Sequence, residues 1–234
     1  MRFFIIPDGE TKWETVSYTS DKPVLRCNEY NLIEFIGDYP CDDSFVRTLE
    51  CMPSSSPSNQ FEVEIVNCKD ADNSIVVGLS TNDADRCPGM TLNTIGIYGL
   101  DGSICQDGLE MAVGDSYSKG DIISCQVIRK KEGSLIRTFC QFWKNGAKNG
   151  PSLYLYGVEC RMAKMFPRQI FPAVGIGTPG AVIWVNLGEN PFRFSLGIYM
   201  LIEMLKREMS YYLIKVLKLL YLILQIFRTY RFDG

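Results

Sequence analysis

Turn residues divide the chain into short extended segments, and this pattern limits its fold more than any other feature. The run Phe61–Val66 places Phe61, Val63 and Ile65 on one face and Glu62 and Glu64 on the other, which is typical of a strand with one buried face. Ile75–Leu79 is a continuous apolar run, typical of a strand covered on both faces. Further strands are predicted at Asp121–Ile128, Ile136–Trp143, Phe171–Ile176 and Val182–Leu187. With Lys144-Asn-Gly146 as a turn between strands, the pattern predicts an all-β antiparallel sandwich.

The composition changes near Ser195. Gly and Pro are spread through the preceding sequence, but neither occurs from Ile198 to Asp233. This last segment is rich in Leu, Ile, Tyr and Lys, and its few polar residues fall roughly on one stripe of a helix. We therefore predict a C-terminal α-helical tail over residues 196–234.

The tail has three competing interpretations. Its broad apolar face could pack on a partner or on a second copy, it could lie on a membrane surface, or it could have no evolved role. Lys215 and Lys218 fall near the middle third of Met209–Phe227, and each would cost about 2.5 to 3.5 kcal/mol at the centre of a bilayer. A membrane-spanning helix is therefore disfavoured, and surface association stays open.

Composition excludes several classes of function. The chain has 24 Lys and Arg against 27 Asp and Glu, a net charge of -3, so it lacks the cationic field that attracts nucleic acid. It has no histidine, which removes the commonest general base and metal ligand. We therefore expect no catalytic residues, no metal site and no cofactor.

The nine cysteines are widely spaced, and no two lie closer than ten residues. This spacing argues against a disulfide framework or a Cys-only zinc site, and it favours thiols used as small buried hydrophobes. The chain also lacks an Asn-x-Ser/Thr glycosylation site, and residues 1–10 carry no apolar run of signal-peptide length. These features predict a cytoplasmic protein, with the nucleus not excluded.

Two motifs suggest chemistry that their context does not support. Gly175-Ile-Gly-Thr-Pro-Gly180 matches the dinucleotide fingerprint, but a strand rather than a helix follows it, so a β-turn between paired strands is predicted instead. Paired acids occur at Asp42/Asp43, Asp70/Asp72 and Asp83/Asp85. Nothing near them completes a calcium loop, and we interpret them as solvated loop residues.

A series of short motifs carries a family resemblance. In chain order they are Phe61-Glu-Val-Glu-Ile65, Val77-Gly-Leu-Ser-Thr81, Pro88-Gly-Met90, Ile95-Gly-Ile-Tyr98 with Asp101-Gly102, Lys119-Gly-Asp-Ile-Ile-Ser-Cys125, Phe142-Trp-Lys-Asn-Gly146 and Phe171-Pro-Ala-Val-Gly175. This order resembles a SPRY domain over residues 21–195, with residues 1–20 as an N-terminal extension. Val46-Arg-Thr48 and Gly177-Thr-Pro-Gly180, followed by Asn186-Leu-Gly188 and Asn190-Pro-Phe192, are most similar to the Ran-binding protein M group.

The resemblance implies a bent antiparallel β-sandwich without catalysis, whose loops at one end bind a short peptide or a protein. Met90 and Tyr98 would be apolar anchors and Arg47 a forked hydrogen-bond donor, with acids at the rim. The groove residues carried over are Gly37, Asp42, Asp43, Arg47, Thr81, Asn82, Asp83, Met90, Tyr98, Gly177, Thr178 and Pro179.

The acidic balance favours a ligand that is neutral or carries Lys or Arg. The Ran-binding protein M group further implies an adaptor or scaffold in a ubiquitin-ligase-type complex. The alternative is an adaptor that the C-terminal helix anchors to a membrane.

Overall fold

A computed structural model of the chain describes residues 13–16, 25–28, 30–37, 44–53, 58–68, 74–132, 135–154, 160–161 and 169–194. The strands are β1 (Trp13–Val16), β2 (Leu25–Cys27), β3 (Leu32–Phe35), β4 (Phe45–Thr48), β5 (Ser58–Asn67), β6 (Ile75–Ser80), β7 (Ile95–Tyr98), β8 (Ser103–Gln106), β9 (Leu109–Val113), β10 (Ile122–Glu132), β11 (Leu135–Lys144), β12 (Ala147–Tyr154), β13 (Cys160–Arg161), β14 (Phe171–Ile176) and β15 (Val182–Asn186). The predicted helical tail lies outside the described residues.

Two antiparallel sheets contain these strands. The front sheet has the order β1-β4-β14-β6-β7-β8-β9, and the back sheet has the order β12-β11-β10-β5-β15-β3-β2, with β13 beside β11. Each described strand pair is antiparallel, so the all-β antiparallel sandwich is confirmed. In the part of the chain that the structure describes, no helix is long and apolar enough to cross a bilayer.

The main core lies between the sheets and follows the period of two along each strand. Phe61, Val63 and Ile65 of β5 are fully buried in it, as their alternation predicts. Val77 and Leu79 of β6 enter the same core from the front sheet. Every residue of β6 is buried, which confirms the prediction of a strand covered on both faces.

The cover on the outer face of the front sheet is residues 81–94, named here the crossing loop. A second apolar cluster joins Ala84 and Cys87 of this loop to Phe45 and Ala173 of the sheet beneath. Glycine makes the close approach possible: a Cβ atom at Gly175 would lie 2.7 Å from Cys87 Sγ. The loop between β6 and β7 is therefore packed against the sheet along its middle part.

Candidate functional site

Five of the predicted groove residues lie at one end of the sandwich, where β6 begins and β14 ends. Backbone hydrogen bonds fix this end: Gly99 N donates to Ile75 O (2.9 Å), and Gly177 N donates to Ser74 O (3.0 Å). Gly180 N donates to Phe35 O (3.3 Å), which ties in the back sheet. We name this surface the Tyr98 end, and its predicted members are Gly37, Tyr98, Gly177, Thr178 and Pro179.

The fingerprint-like segment forms a tight turn at this end. Ala181 N donates to Thr178 O (3.1 Å), and Gly180 has a φ of 77°, which explains Gly after Pro in a turn of this kind. The prediction of a β-turn is confirmed, but the prediction that the turn joins paired strands is wrong. The turn carries the chain from β14 in the front sheet to β15 in the back sheet, so it does not join paired strands.

Thr178 holds this turn rather than facing outward. Its side chain is buried, and its Oγ1 accepts from Ser74 N (3.2 Å) and lies 2.9 Å from Ser74 Oγ. A buried hydroxyl with two such contacts stabilises the loop. The groups of the turn that reach solvent are Pro179, which is half-buried, and Gly180, which is exposed.

The exposed chemistry of the Tyr98 end is apolar and acidic. Tyr98 is half-buried, and its hydroxyl donates to Pro88 O (3.4 Å). Leu100, in the turn that follows, is 60% exposed. The backbone hydrogen bond from Ser103 N (2.9 Å) lowers the pKa of Asp101, so this carboxyl is ionised at neutral pH.

Two further charged residues border this surface. Asp115 is exposed. Its backbone lies beside Gly102, since a Cβ atom on Gly102 would be 2.7 Å from the Asp115 carbonyl carbon. Lys119 is also exposed, and its Nζ donates to Asn67 Oδ1 (3.4 Å). Asn67 in turn donates to Gly180 O (3.0 Å), so Asn67 links Lys119 to the turn.

Arg47 is engaged inside the protein. Its side chain is 5% exposed and forms an ion pair with Glu14 on the neighbouring strand β1. Its Nη1 donates to Thr81 O (2.5 Å), and its guanidinium lies 5.6 Å from the centre of the Phe171 ring. This geometry ties β1, β4 and the start of the crossing loop together, and contact between Arg47 and a ligand stays a prediction.

The predicted groove residues of the crossing loop lie at two other places, although the loop itself meets the Tyr98 hydroxyl at Pro88 O (3.4 Å). Thr81, Asn82 and Asp83 follow the last residue of β6, and Asn82 Nδ2 donates to Gln169 Oε1 (2.9 Å) at the opposite end of the strands. Met90 lies beside the turn between β8 and β9, where Gly108 N donates to Gly89 O (2.8 Å). The structure therefore distributes the described members over three places. Asp42 and Asp43 lie outside the described residues.

A cleft that the sequence did not indicate lies at the end where β4 stops. Its volume is about 510 Å³, and its wall includes the buried side chains of Met52 and Phe61. Glu50 and Glu189 also line it, and none of the described lining residues is Lys or Arg. The residues come from loop and strand ends of both sheets, which no local sequence pattern brings together. The other lining residues are Thr48, Leu49, Cys51, Pro53, Asn59, Gln60, Pro172 and Leu187.

Four of the seven described thiols are buried, as the sequence predicts, and Cys51, Cys68 and Cys105 are partly buried. The four buried thiols are Cys27, Cys87, Cys125 and Cys140. Desolvation by burial raises the pKa of Cys27 to about 12 and holds that of Cys125 well above its ordinary value. Among the described residues, no group of three or more Cys, Asp or Glu could hold a metal ion.

Comparisons with known proteins give the family. Ran-binding protein 9 of Mus musculus is 32% identical over 167 residues, which are 70% of this chain and 23% of that protein. Ran-binding protein 10 of Danio rerio is 32% identical over 162 residues, which are 68% of this chain and 24% of that protein. The chain thus spans about a quarter of the length of these relatives. No protein-family model matches the chain.

The comparison of structures agrees with the comparison of sequences. The crystal structure of a human SPRY domain superposes with a TM-score of 0.54 at 20% identity, and the match covers 72% of this chain and 98% of the human domain. Such an identity shows the fold alone, while the sequence match to the two Ran-binding proteins shows the relationship. The chain is a SPRY-domain protein related to Ran-binding proteins 9 and 10.

Proposed function

We propose that the sandwich is a non-enzymatic protein-interaction module that binds a peptide or a loop of a partner at the Tyr98 end. The observation that supports this proposal is the convergence of connections from both sheets at that end. Their backbone groups bond to neighbouring strands and leave Leu100, Asp101 and Pro179 facing solvent. A rigid scaffold that presents exposed loop residues suits recognition without reordering.

The partner's chemistry follows from the exposed side chains. Leu100 and Tyr98 offer apolar surface, while Asp101 and Asp115 offer negative charge. An apolar residue flanked by Lys or Arg would complement both. We expect Lys119 to border the site rather than to form it, since Asn67 stands between it and the turn.

The resemblance extends the proposal further. An adaptor or scaffold role in a ubiquitin-ligase-type complex, and a cytoplasmic location, rest on the resemblance and on composition alone. The names of the two relatives state that they bind Ran, so Ran is one protein to include in a binding test.

The test is a peptide-array pull-down with the full chain and with variants that separate the surfaces. Leu100→Lys changes an exposed side chain at the Tyr98 end, and Tyr98→Ala removes the aromatic anchor. Tyr30→Ala is the matched control, because Tyr30 is 71% exposed and lies on the loop between β2 and β3. We expect both Tyr98-end variants to weaken binding by about tenfold or more and the control to retain it.

A further variant tests the cleft. Glu50→Lys reverses one of its two charges and leaves the Tyr98 end unchanged. Loss of binding in this variant, with retention in Leu100→Lys, would place the ligand in the cleft and contradict the proposed site. Circular dichroism of each variant separates lost binding from lost folding.

A further inference from the structure

The edge strand β9 exposes an apolar surface. It is the last strand of the front sheet and, among the described residues, pairs with β8 alone. Leu109, Met111 and Val113 are 66%, 45% and 62% exposed. Ala112 is the one residue of the strand that packs against the main core. As far as the described residues show, β9 therefore presents an unpaired backbone edge and apolar side chains to solvent.

The two edge strands of the back sheet carry residues that discourage pairing. β12, at one edge of the back sheet, contains Lys148 and Pro151, and β2, at the other edge, contains Arg26. Charged residues and proline are the usual protection of an exposed edge. β9 contains neither Lys nor Pro, and its one charged residue is Glu110.

The crossing loop extends the apolar surface beyond the strand. Met90 and Leu92 are 44% and 73% exposed. The loop is fixed against the turn between β8 and β9, because Gly108 N donates to Gly89 O (2.8 Å) and Asn93 N donates to the Asp107 carboxylate (2.5 Å). The apolar side chains of the crossing loop and those of β9 therefore lie on neighbouring segments that hydrogen bonds hold together.

The charge of the surface around β9 indicates which kind of segment would pair with it. Residues 87–118 contain four acids, Asp101, Asp107, Glu110 and Asp115, and no Lys or Arg. A second copy of β9 would bring Glu110 and Asp107 of both chains along one interface without a compensating base, which is unfavourable. A strand with apolar side chains at alternate positions and Lys or Arg at its ends would match both the surface and its charge.

We propose that β9 accepts an extended segment of a partner protein as an additional strand of the front sheet. The segment is apolar at alternate positions and basic at its ends. Main-chain hydrogen bonds to β9 supply affinity, and contacts with Leu109 and Val113 select the side chains. The C-terminal end of β9 adjoins the Tyr98 end, because Gly114 N donates to Gly102 O (2.8 Å). The strand edge itself is not part of the Tyr98 end, so the proposal does not depend on the proposed function.

The test uses the full chain and two synthetic probes. One is a nine-residue peptide of alternating Val and Thr with Lys at both ends, and the other carries Glu at both ends. Fluorescence anisotropy measures binding, and amide hydrogen exchange reports protection at residues 109–113. We expect the Lys-ended peptide to bind at least about tenfold more tightly than the Glu-ended peptide and to protect these amides.

Two variants sharpen the result. Leu109→Lys protects the edge and is expected to weaken binding of the Lys-ended peptide by about tenfold. Glu110→Lys is expected to reduce the preference for the Lys-ended peptide over the Glu-ended peptide. Tyr30→Lys, a change of an equally exposed side chain elsewhere, should leave binding unchanged.

Three outcomes would overturn the proposal. The first is equal binding of both peptides, or protection at residues 98–102 in place of 109–113. The second is protection, before peptide is added, of the β9 amides that do not bond to β8, which would mean that the edge is already occupied. The third is concentration-dependent dimerisation in analytical ultracentrifugation together with that protection, which would identify a second copy as the occupant.

Discussion

The outer face of the front sheet and its β9 edge differ in how well they are covered. The outer face beneath the crossing loop is closely covered, and Phe45, Arg47 and Ala173 are all buried there. The β9 edge is open, and Leu109 and Val113 are more than half exposed. The covered side contains a charged residue and the open side contains large apolar residues, which is the reverse of what hydrophobicity alone predicts.

This difference shows that cover, rather than residue type, decides what a side chain does here. Arg47 is buried because Glu14, Thr81 O and the Phe171 ring satisfy its guanidinium. Leu109 and Val113 stay exposed because, among the described residues, no loop crosses β9. The covered residues hold the fold, and the uncovered residues are available to a partner.

Among the substitutions that test this contrast, the largest expected effect is on the covered side. Arg47→Met should lower the free energy of unfolding by about 3 kcal/mol, because it leaves the Glu14 carboxylate without its partner on the neighbouring strand. Urea denaturation of the full chain measures the loss. Adding Glu14→Gln to the same variant should restore part of it. A loss under about 1 kcal/mol would show that the ion pair does not hold this face.

A smaller effect is expected where the crossing loop touches the sheet. A Cβ atom at Gly96 would overlap the carbonyl oxygen of Pro88 and lie 2.7 Å from Val76 Cγ1. Gly96→Ala should therefore cost about 1 to 3 kcal/mol and loosen the loop. The loosening should appear as faster maleimide labelling of Cys87, which is 4% exposed, followed by mass spectrometry. Unchanged labelling and stability would mean that the loop does not depend on this contact.

The smallest effect is expected at the open edge. Leu109→Lys should change the free energy of unfolding by no more than about 0.5 kcal/mol, because the side chain already contacts solvent. Leu79→Ala, in the core of the same sheet, is the comparison and should cost about 2 to 5 kcal/mol. A large loss in Leu109→Lys would show that β9 is covered in solution and would remove the contrast between the two sides.

Local patterns predicted the parts of the fold that depend on neighbouring residues. The alternation at Phe61–Val66 lies within β5, and the Asn-Gly pair forms the two-residue turn between β11 and β12, with φ values of 50° for Asn145 and 79° for Gly146. The strand after that turn was missed. Ala147–Tyr154 contains Gly150 and Pro151 and has no apolar alternation, so its pairing with β11 supplies what its sequence pattern does not.

The candidate site was harder to predict than the fold. Tyr98 and Gly177–Pro179, which the resemblance assigns to the groove, lie at one end of the sandwich, and their contact with a ligand stays a prediction. The resemblance could not show that Thr81 and Asn82 lie at the opposite end, because that depends on the path of the crossing loop over the sheet. The cleft beside Met52 and Phe61 was invisible for the same reason, since its walls come from distant segments.

The sequence by itself determined the class of the fold, the absence of histidine chemistry and the position of its tight turns, because alternation, composition and turn residues act over a few neighbouring positions. Only the tertiary structure decided which surfaces are covered. Long-range packing buries Arg47 under the crossing loop and leaves β9 open, and it depends on contacts between residues far apart in the chain. Those contacts determine which side chains serve the fold and which remain free to meet a partner.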